Sequence, residues 1–189
     1  MKKYIFIIII FFLSSKSSAS IKENIIFNLK SINNINFHFE QNINGKIEKG
    51  NCTIKYPKKI YCKYDLSNKK ILVSDGKSLV IKTTSSYYRY SLDKTPLNYI
   101  LNKEYLIKKI NSLNERIIEN KFVNFNFFEE DNEINIFFDT KNYNLIGWQT
   151  LDIFQNLSIT CSNPGFKLIS ELWNHKNPNS ENFIEVQLP

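Results

Sequence analysis

Two histidines, three cysteines and a run of carboxylates are the residues of this 189-residue sequence best suited to chemistry, and their spacing argues against catalysis. His38 falls on the polar side of an alternating segment, and His175 lies in a polar loop. Neither belongs to a His-Glu-x-x-His metal motif, and no Gly-x-Ser-x-Gly nucleophile turn occurs. Gly76-Lys77-Ser78 has the ending of a phosphate-binding loop, but that motif needs a glycine where Ile71 stands. Asp75-Gly76 therefore reads as a tight turn between strands. Glu129-Glu130-Asp131 and Glu133 read as the solvated end of a hairpin rather than an acid/base pair. The expectation is a protein with no catalytic residue, no metal site and no cofactor, and not an enzyme.

The cysteines say more. If the chain reverses at Pro57, Cys52 and Cys62 fall opposite one another, on a face shared with Ile54, Tyr56, Ile60 and Tyr64. Opposed strand residues have β-carbons about 4.5–5.5 Å apart, wide for a disulfide but within reach of local twist. A bridge and a pair of free thiols both stay open at this point. With a bridge, Cys161 is left as a lone thiol, suited to burial as a small apolar residue.

The elements around these residues begin with an export signal. Met1-Lys2-Lys3 precedes an unbroken apolar run from Tyr4 to Leu13, followed by a polar stretch ending Ser17-Ser18-Ala19. The run is shorter than the ~20 residues of a membrane span, so it reads as a signal peptide, residues 1–19, cleaved after Ala19. Removing 19 of 189 residues, three of them lysines, leaves 170 residues and lowers the net charge from +7 to +4. The expected destination is the periplasm.

Ser20-Ile21-Lys22-Glu23 has the capping-box pattern, and Ile21, Ile25, Ile26, Leu29 and Ile32 then recur at helical spacing, predicting a helix over Ile21–Ser31. The period then drops to two. Ile35, Phe37, Phe39 and Ile43 share one face of a strand. Strand patterns follow at Lys46–Tyr56, Ile60–Tyr64, Lys70–Ser74, Ser78–Thr83 and Tyr87–Tyr90, punctuated by Asn44-Gly45, Pro57, Ser67-Asn68 and Asp75-Gly76. Thr95-Pro96 predicts an N-cap with proline at the first helical position, and Glu104–Ile110 a second short helix. Strands resume at Arg116–Asn120, Val123–Phe128, Ile134–Phe138, Leu145–Leu151 and Asn156–Cys161. Weaker strand-like pieces, Phe166–Trp173 and Phe183–Leu188, flank a polar loop. The fold class is mainly β with short helices: about 10–11 strands in one large antiparallel sheet, curled or closed, forming a single domain over residues 20–189.

Composition narrows the function. An apolar share of 42% supports a real core, so disorder is excluded as the main state. Arg89 and Arg116 are the only arginines, and the lysines scatter over turns. That pattern suits edge protection rather than nucleic-acid binding, which wants an Arg-bearing stripe with interleaved aromatics.

Phe39-Glu40-Gln41, then Gly50-x-Cys52-x-Ile54-Lys55-Tyr56-Pro57, then Ile71-Leu72-Val73-Ser74-Asp75-Gly76-Lys77-Ser78-Leu79, then Thr95-Pro96-Leu97 follow one another at telling intervals. From Ile21 to Leu101 the chain resembles the LolA outer-membrane lipoprotein carrier family; the C-terminal half resembles it only as a strand pattern. The resemblance implies an incompletely closed antiparallel β-barrel, a lid of short helices, and an apolar cavity for lipoprotein acyl chains. It places Phe37, Phe39, Ile54, Tyr56, Ile60, Tyr64, Leu79 and Ile81 on the cavity, and Leu97, Ile100 and Leu101 on the lid. The physical demand is plain. At ~0.8 kcal/mol per methylene, one chain of about fifteen methylenes costs roughly 12 kcal/mol to leave in water.

The implied partners are acylated lipoproteins and an inner-membrane lipoprotein release complex; the sequence does not reveal an outer-membrane acceptor, and the working state is a monomer. The same fold could instead bind or sense another lipid or hydrophobic ligand. In one respect the chain departs from the family, which often carries an arginine before the hairpin proline to hold the lid. Tyr56 stands there, uncharged and with one donor, so an aromatic plug is expected in its place.

Overall fold

The computed structural model describes residues 19–43, 46–151 and 157–162. The predicted signal peptide, apart from Ala19, lies outside these residues. So do the Asn44-Gly45 turn and the strand-like pieces Phe166–Trp173 and Phe183–Leu188.

Helix α1 (Ile21–Ser31) starts at the predicted capping box: Ser20 Oγ accepts from the Glu23 amide at 3.2 Å, and the Ser20 amide donates to Glu23 Oε2 at 2.7 Å. Its apolar stripe buries Ile25 and Leu29. Six strands follow: β1 (Asn34–Ile43), β2 (Lys46–Lys55), β3 (Lys59–Tyr64), β4 (Ile71–Asp75), β5 (Ser78–Lys82) and β6 (Tyr87–Ser91). Alternation is cleanest in β2 and β3, where Cys52, Ile54, Ile60, Cys62 and Tyr64 are buried between exposed neighbours. The Asp75-Gly76 turn forms as predicted. Gly76 takes φ +101°, open to glycine, and Asp75 Oδ1 accepts from the amides of Lys77 and Ser78, each at 2.8 Å.

A 3₁₀ turn (Leu92–Lys94), α2 (Leu97–Ile100) and α3 (Lys103–Ser112) link the two halves. Thr95 does not cap α2. Its hydroxyl donates back to the Leu92 carbonyl at 2.8 Å, and Pro96 itself occupies the cap position with helical angles. Asn102 caps α3, accepting from the Tyr105 amide at 3.2 Å. Five strands complete the order: β7 (Arg116–Ile118), β8 (Phe122–Glu129), β9 (Asn132–Asp139), β10 (Leu145–Leu151) and β11 (Leu157–Ser162). The strand expected over Arg116–Asn120 stops at Ile118, because Glu119 and Asn120 take φ of 49° and 54° and turn the chain into β8.

All eleven strands join one antiparallel sheet in the order β6-β5-β4-β3-β2-β1-β11-β10-β9-β8-β7. Every pairing is between chain neighbours except β1 with β11, which unites the two halves. Among the described residues, strands β6 and β7 end the sheet without pairing to each other, so the barrel is incompletely closed. The helices pack onto its concave side. Ile25 and Leu29 of α1, with Leu106 and Ile110 of α3, join Phe125, Phe138 and their neighbours in one core. Burying each such side chain stabilises the assembly by roughly 1.5–3 kcal/mol, which is what holds short helices against the sheet.

Candidate functional site

Between the sheet's concave face and the Thr95–Leu97 segment lies a cavity of about 320 Å³. Phe39, Ile43, Ile60, Leu72, Leu79 and Ile81 supply one part of its aliphatic and aromatic wall from β1, β3, β4 and β5. Tyr88 and Tyr90 border it from the edge strand β6, Trp148 and Leu151 from β10, and Pro96 and Leu97 from above. Phe39 and Tyr64 meet edge-on with ring centroids 4.9 Å apart. They are neighbours across Gly50, which pairs with both in the ladder.

Cys52 and Cys62 also border the cavity, and they form a disulfide with Cα atoms 4.1 Å apart. They are direct partners in the β2–β3 ladder, which brings them closer than the average strand pair. The side chain of Cys161 lies outside the described residues.

One stretch of the wall is polar. The Tyr64 hydroxyl donates to Gln41 Oε1 at 2.8 Å, and Gln41 Nε2 donates to Ser158 Oγ at 2.8 Å. Lys70 Nζ stands 2.5 Å from Glu48 Oε2 and 4.2 Å from the centre of the Tyr64 ring, while Lys46 reaches Glu48 from solvent at 3.1 Å. Burial acts to raise the Glu48 carboxyl, but the two ammoniums outweigh it and hold it below the usual carboxylate range. Burial, with Glu48 nearby, pushes the Tyr64 phenol well up.

The lid is tied at both ends. Lys103, opening α3, donates to the Ile32 carbonyl at 2.8 Å just past α1, while Lys22 in α1 donates to the Leu113 carbonyl at 2.5 Å just past α3. The two helices are thus antiparallel, each with a lysine on the partner's negative C-terminal end. The Lys58 amide, in the β2–β3 turn, donates to the Leu101 carbonyl at 2.8 Å. Asn28 reaches the β9–β10 turn, donating to the Tyr143 carbonyl at 3.0 Å. On the opposite wing the Tyr105 hydroxyl and the Lys109 ammonium both engage Glu129. Hydrogen bonds from Lys109 and then Tyr105 hold the Glu129 carboxyl below its ordinary range, against a smaller opposing effect of burial. Glu129 is therefore a lid contact and not simply part of a solvated hairpin end, whereas Glu130 and Asp131 are exposed as expected.

Of the residues the resemblance placed on the cavity, Phe39, Ile60, Tyr64, Leu79 and Ile81 border it. Phe37, Ile54 and Tyr56 do not. Phe37 turns edge-on to Trp148 at 6.0 Å, and Ile54 is wholly buried in the core. Tyr56 sits beside the lid, its ring 5.8 Å from the Lys103 ammonium and its hydroxyl buried without a hydrogen-bond partner among the described residues. Burial pushes that phenol up to about 12. Of the expected lid residues only Leu97 faces the cavity; Ile100 and Leu101 are wholly buried. Sequence reasoning missed Tyr88 and Tyr90, although both lie on a predicted strand: the ladder sets them opposite Ile81 and Leu79. It also missed Trp148, Thr150, Ser158 and Thr160, which reach the cavity through the β1–β11 pairing.

No curated protein matches the chain. It is similar to a solved LolA superfamily protein from Nitrosomonas europaea, at 9% identity over 74% of this chain and 76% of that one, with a TM-score of 0.33. The model of the outer membrane lipoprotein carrier protein LolA matches residues 23–165. With that match running from within the first helix through all eleven described strands, the chain belongs to the LolA family.

Proposed function

We propose that the protein is a periplasmic carrier that takes acylated lipoproteins from an inner-membrane release complex and shields their acyl chains on the way to the outer membrane. Family membership supports a carrier-like or related hydrophobic-ligand-binding role. The observation that carries the finer reading is the apolar cavity of about 320 Å³ beneath the Thr95–Leu97 segment, in a sheet whose end strands do not pair with each other among the described residues. Transferring an acyl chain out of water is worth ~0.8 kcal/mol per methylene, so a non-polar wall suffices for affinity. The work is one of holding and releasing, not of catalysis. No helix among the described residues is long and apolar enough to cross a membrane. In this reading residues 1–19 are removed on export and residues 20–189 act as one monomeric domain.

The volume sits at the low end of the ~300–1,000 Å³ usual for ligand sites. A cargo with several chains therefore requires the lid to lift. Lifting it would break the ties from Glu129 to Tyr105 and Lys109, and from Lys58 to Leu101.

The test is release of a newly acylated lipoprotein from spheroplasts by the added protein, beside an accepted carrier as control. Soluble, protein-bound lipoprotein is the expected result. Failure to release it, with the control active, would overturn the carrier reading. Co-purification with free lipid alone would then point to the binder or sensor alternative.

A further inference from the structure

The polar stretch of the cavity wall includes a buried hydroxyl without a partner among the described residues. Ladder register sets Thr150 opposite Ser158, Thr160 opposite Gln41, and Gln41 opposite Glu48, so all of these project from one face of the sheet. Most of their capacity is used internally: Tyr64 donates to Gln41, Gln41 to Ser158, and Lys70 to Glu48. Thr150 differs. The residue borders the cavity and is 6% exposed, and its buried hydroxyl has no hydrogen-bond partner among the described residues. A buried hydroxyl left unpaired is costly, and such exceptions among folded proteins call for a reason.

Resting on the reading of the cavity as an acyl-chain site, we infer that Thr150 is a polar anchor that donates to the carbonyl oxygen of a bound acyl ester or amide. The apolar wall takes the hydrocarbon, and Thr150 fixes where its carbonyl end stops. A neutral carbonyl fits better than a carboxylate. Among the described residues Lys70 is the cation bordering the cavity, and it is already paired with Glu48 at 2.5 Å, while the second ammonium on that carboxyl, Lys46, reaches it from solvent. Discrimination follows from chemistry, because an alkane of equal length leaves the hydroxyl unpaired.

The experiment measures the affinity of the full chain for three probes matched in length: a fatty-acid methyl ester, the free fatty acid and an n-alkane. Wild type, Thr150→Val and Thr150→Ser are compared. Valine keeps the branched shape without the donor; serine keeps the donor. The expected result is a loss of about 3- to 10-fold for the ester in Thr150→Val, unchanged alkane affinity, and recovery in Thr150→Ser. Free fatty acid should bind wild type more weakly than the ester. An equal loss for ester and alkane, or no loss for either, would overturn the anchor while leaving the acyl-chain reading intact. Tighter binding of the free acid than of the ester would overturn the preference for a neutral carbonyl. Absence of binding by all three probes to wild type would overturn the reading of the cavity, and the anchor with it.

Discussion

Phe39 and Tyr64 meet edge-on across the glycine that separates their strands, their ring centroids 4.9 Å apart. Gly50 makes that meeting feasible. A β-carbon built there would lie 2.9 Å from Phe39 Cε1 and 2.9 Å from Tyr64 Cα, and would also strike the Lys63 carbonyl. Gly50→Ala should therefore push both rings off the cavity wall and destabilise the fold by about 1–3 kcal/mol, the usual cost of overpacking. Urea denaturation checks the stability. A variant as stable as wild type would show that the wall yields easily.

Tyr56 makes the opposite case. Its buried hydroxyl has no partner, so Tyr56→Phe should stabilise the protein at pH 7 by about 1 kcal/mol. The phenol is pushed up to about 12 by burial, above its ordinary value near 10. Ionisation of Tyr56 therefore leaves stability unaffected below about pH 10, and the wild-type fold loses stability as pH rises from there through about 12. Comparing urea midpoints at pH 7 and pH 11, wild type should lose more than the variant. Parallel losses would show that Tyr56 finds water.

The Glu48 carboxyl, held below its ordinary range, has the reverse sign. Its contribution is present above about pH 4.3, the ordinary glutamate value, and disappears as pH falls through the lower folded value. Glu48→Gln should cost about 3 kcal/mol at pH 7, at the low end for breaking a buried pair because Lys70 keeps some access to water. The variant's stability should also vary less than wild type's between pH 5 and pH 3. Identical acid profiles would contradict this assignment.

The Cys52–Cys62 bridge closes a short hairpin, with ten residues of sequence separation. A loop of that size is worth about 2–3 kcal/mol through restriction of the unfolded chain. The double variant Cys52→Ala/Cys62→Ala should fall by that amount and lose all sensitivity of its melting temperature to reductant. Intact-mass measurement supplies the control: reduction adds two hydrogens to the wild-type peptide spanning these residues. No mass change would mean the thiols are free.

The local elements were readable because each rests on neighbouring residues. Ser20 and Glu23 cap α1 through contacts three residues apart, and alternation in β2 and β3 assigns Cys52, Ile54, Ile60 and Cys62 to one face. Part of the cavity could be inferred the same way. Another part depends on the pairing of β1 with β11, more than a hundred residues apart in sequence, which brings Trp148, Thr150 and Ser158 beside Phe39 and Gln41. No local period encodes that closure. Face assignment also says only that a side chain points inward. Whether it meets a cavity or a helix depends on where the lid sits, which is why Ile54 and Ile100 ended in the core while Ile81 and Leu97 border the space.

The central claim is that the space beneath the lid holds an acyl chain, and filling that space tests it most directly. Ile81 is half-buried at the cavity wall, so Ile81→Trp can extend into the cavity without crowding the core. Native mass spectrometry of both proteins, each mixed with a palmitoylated lipopeptide, gives the readout. The account predicts a retained lipopeptide on wild type and little or none on a folded Ile81→Trp variant with an unchanged melting temperature. Equal retention by the two proteins would contradict it.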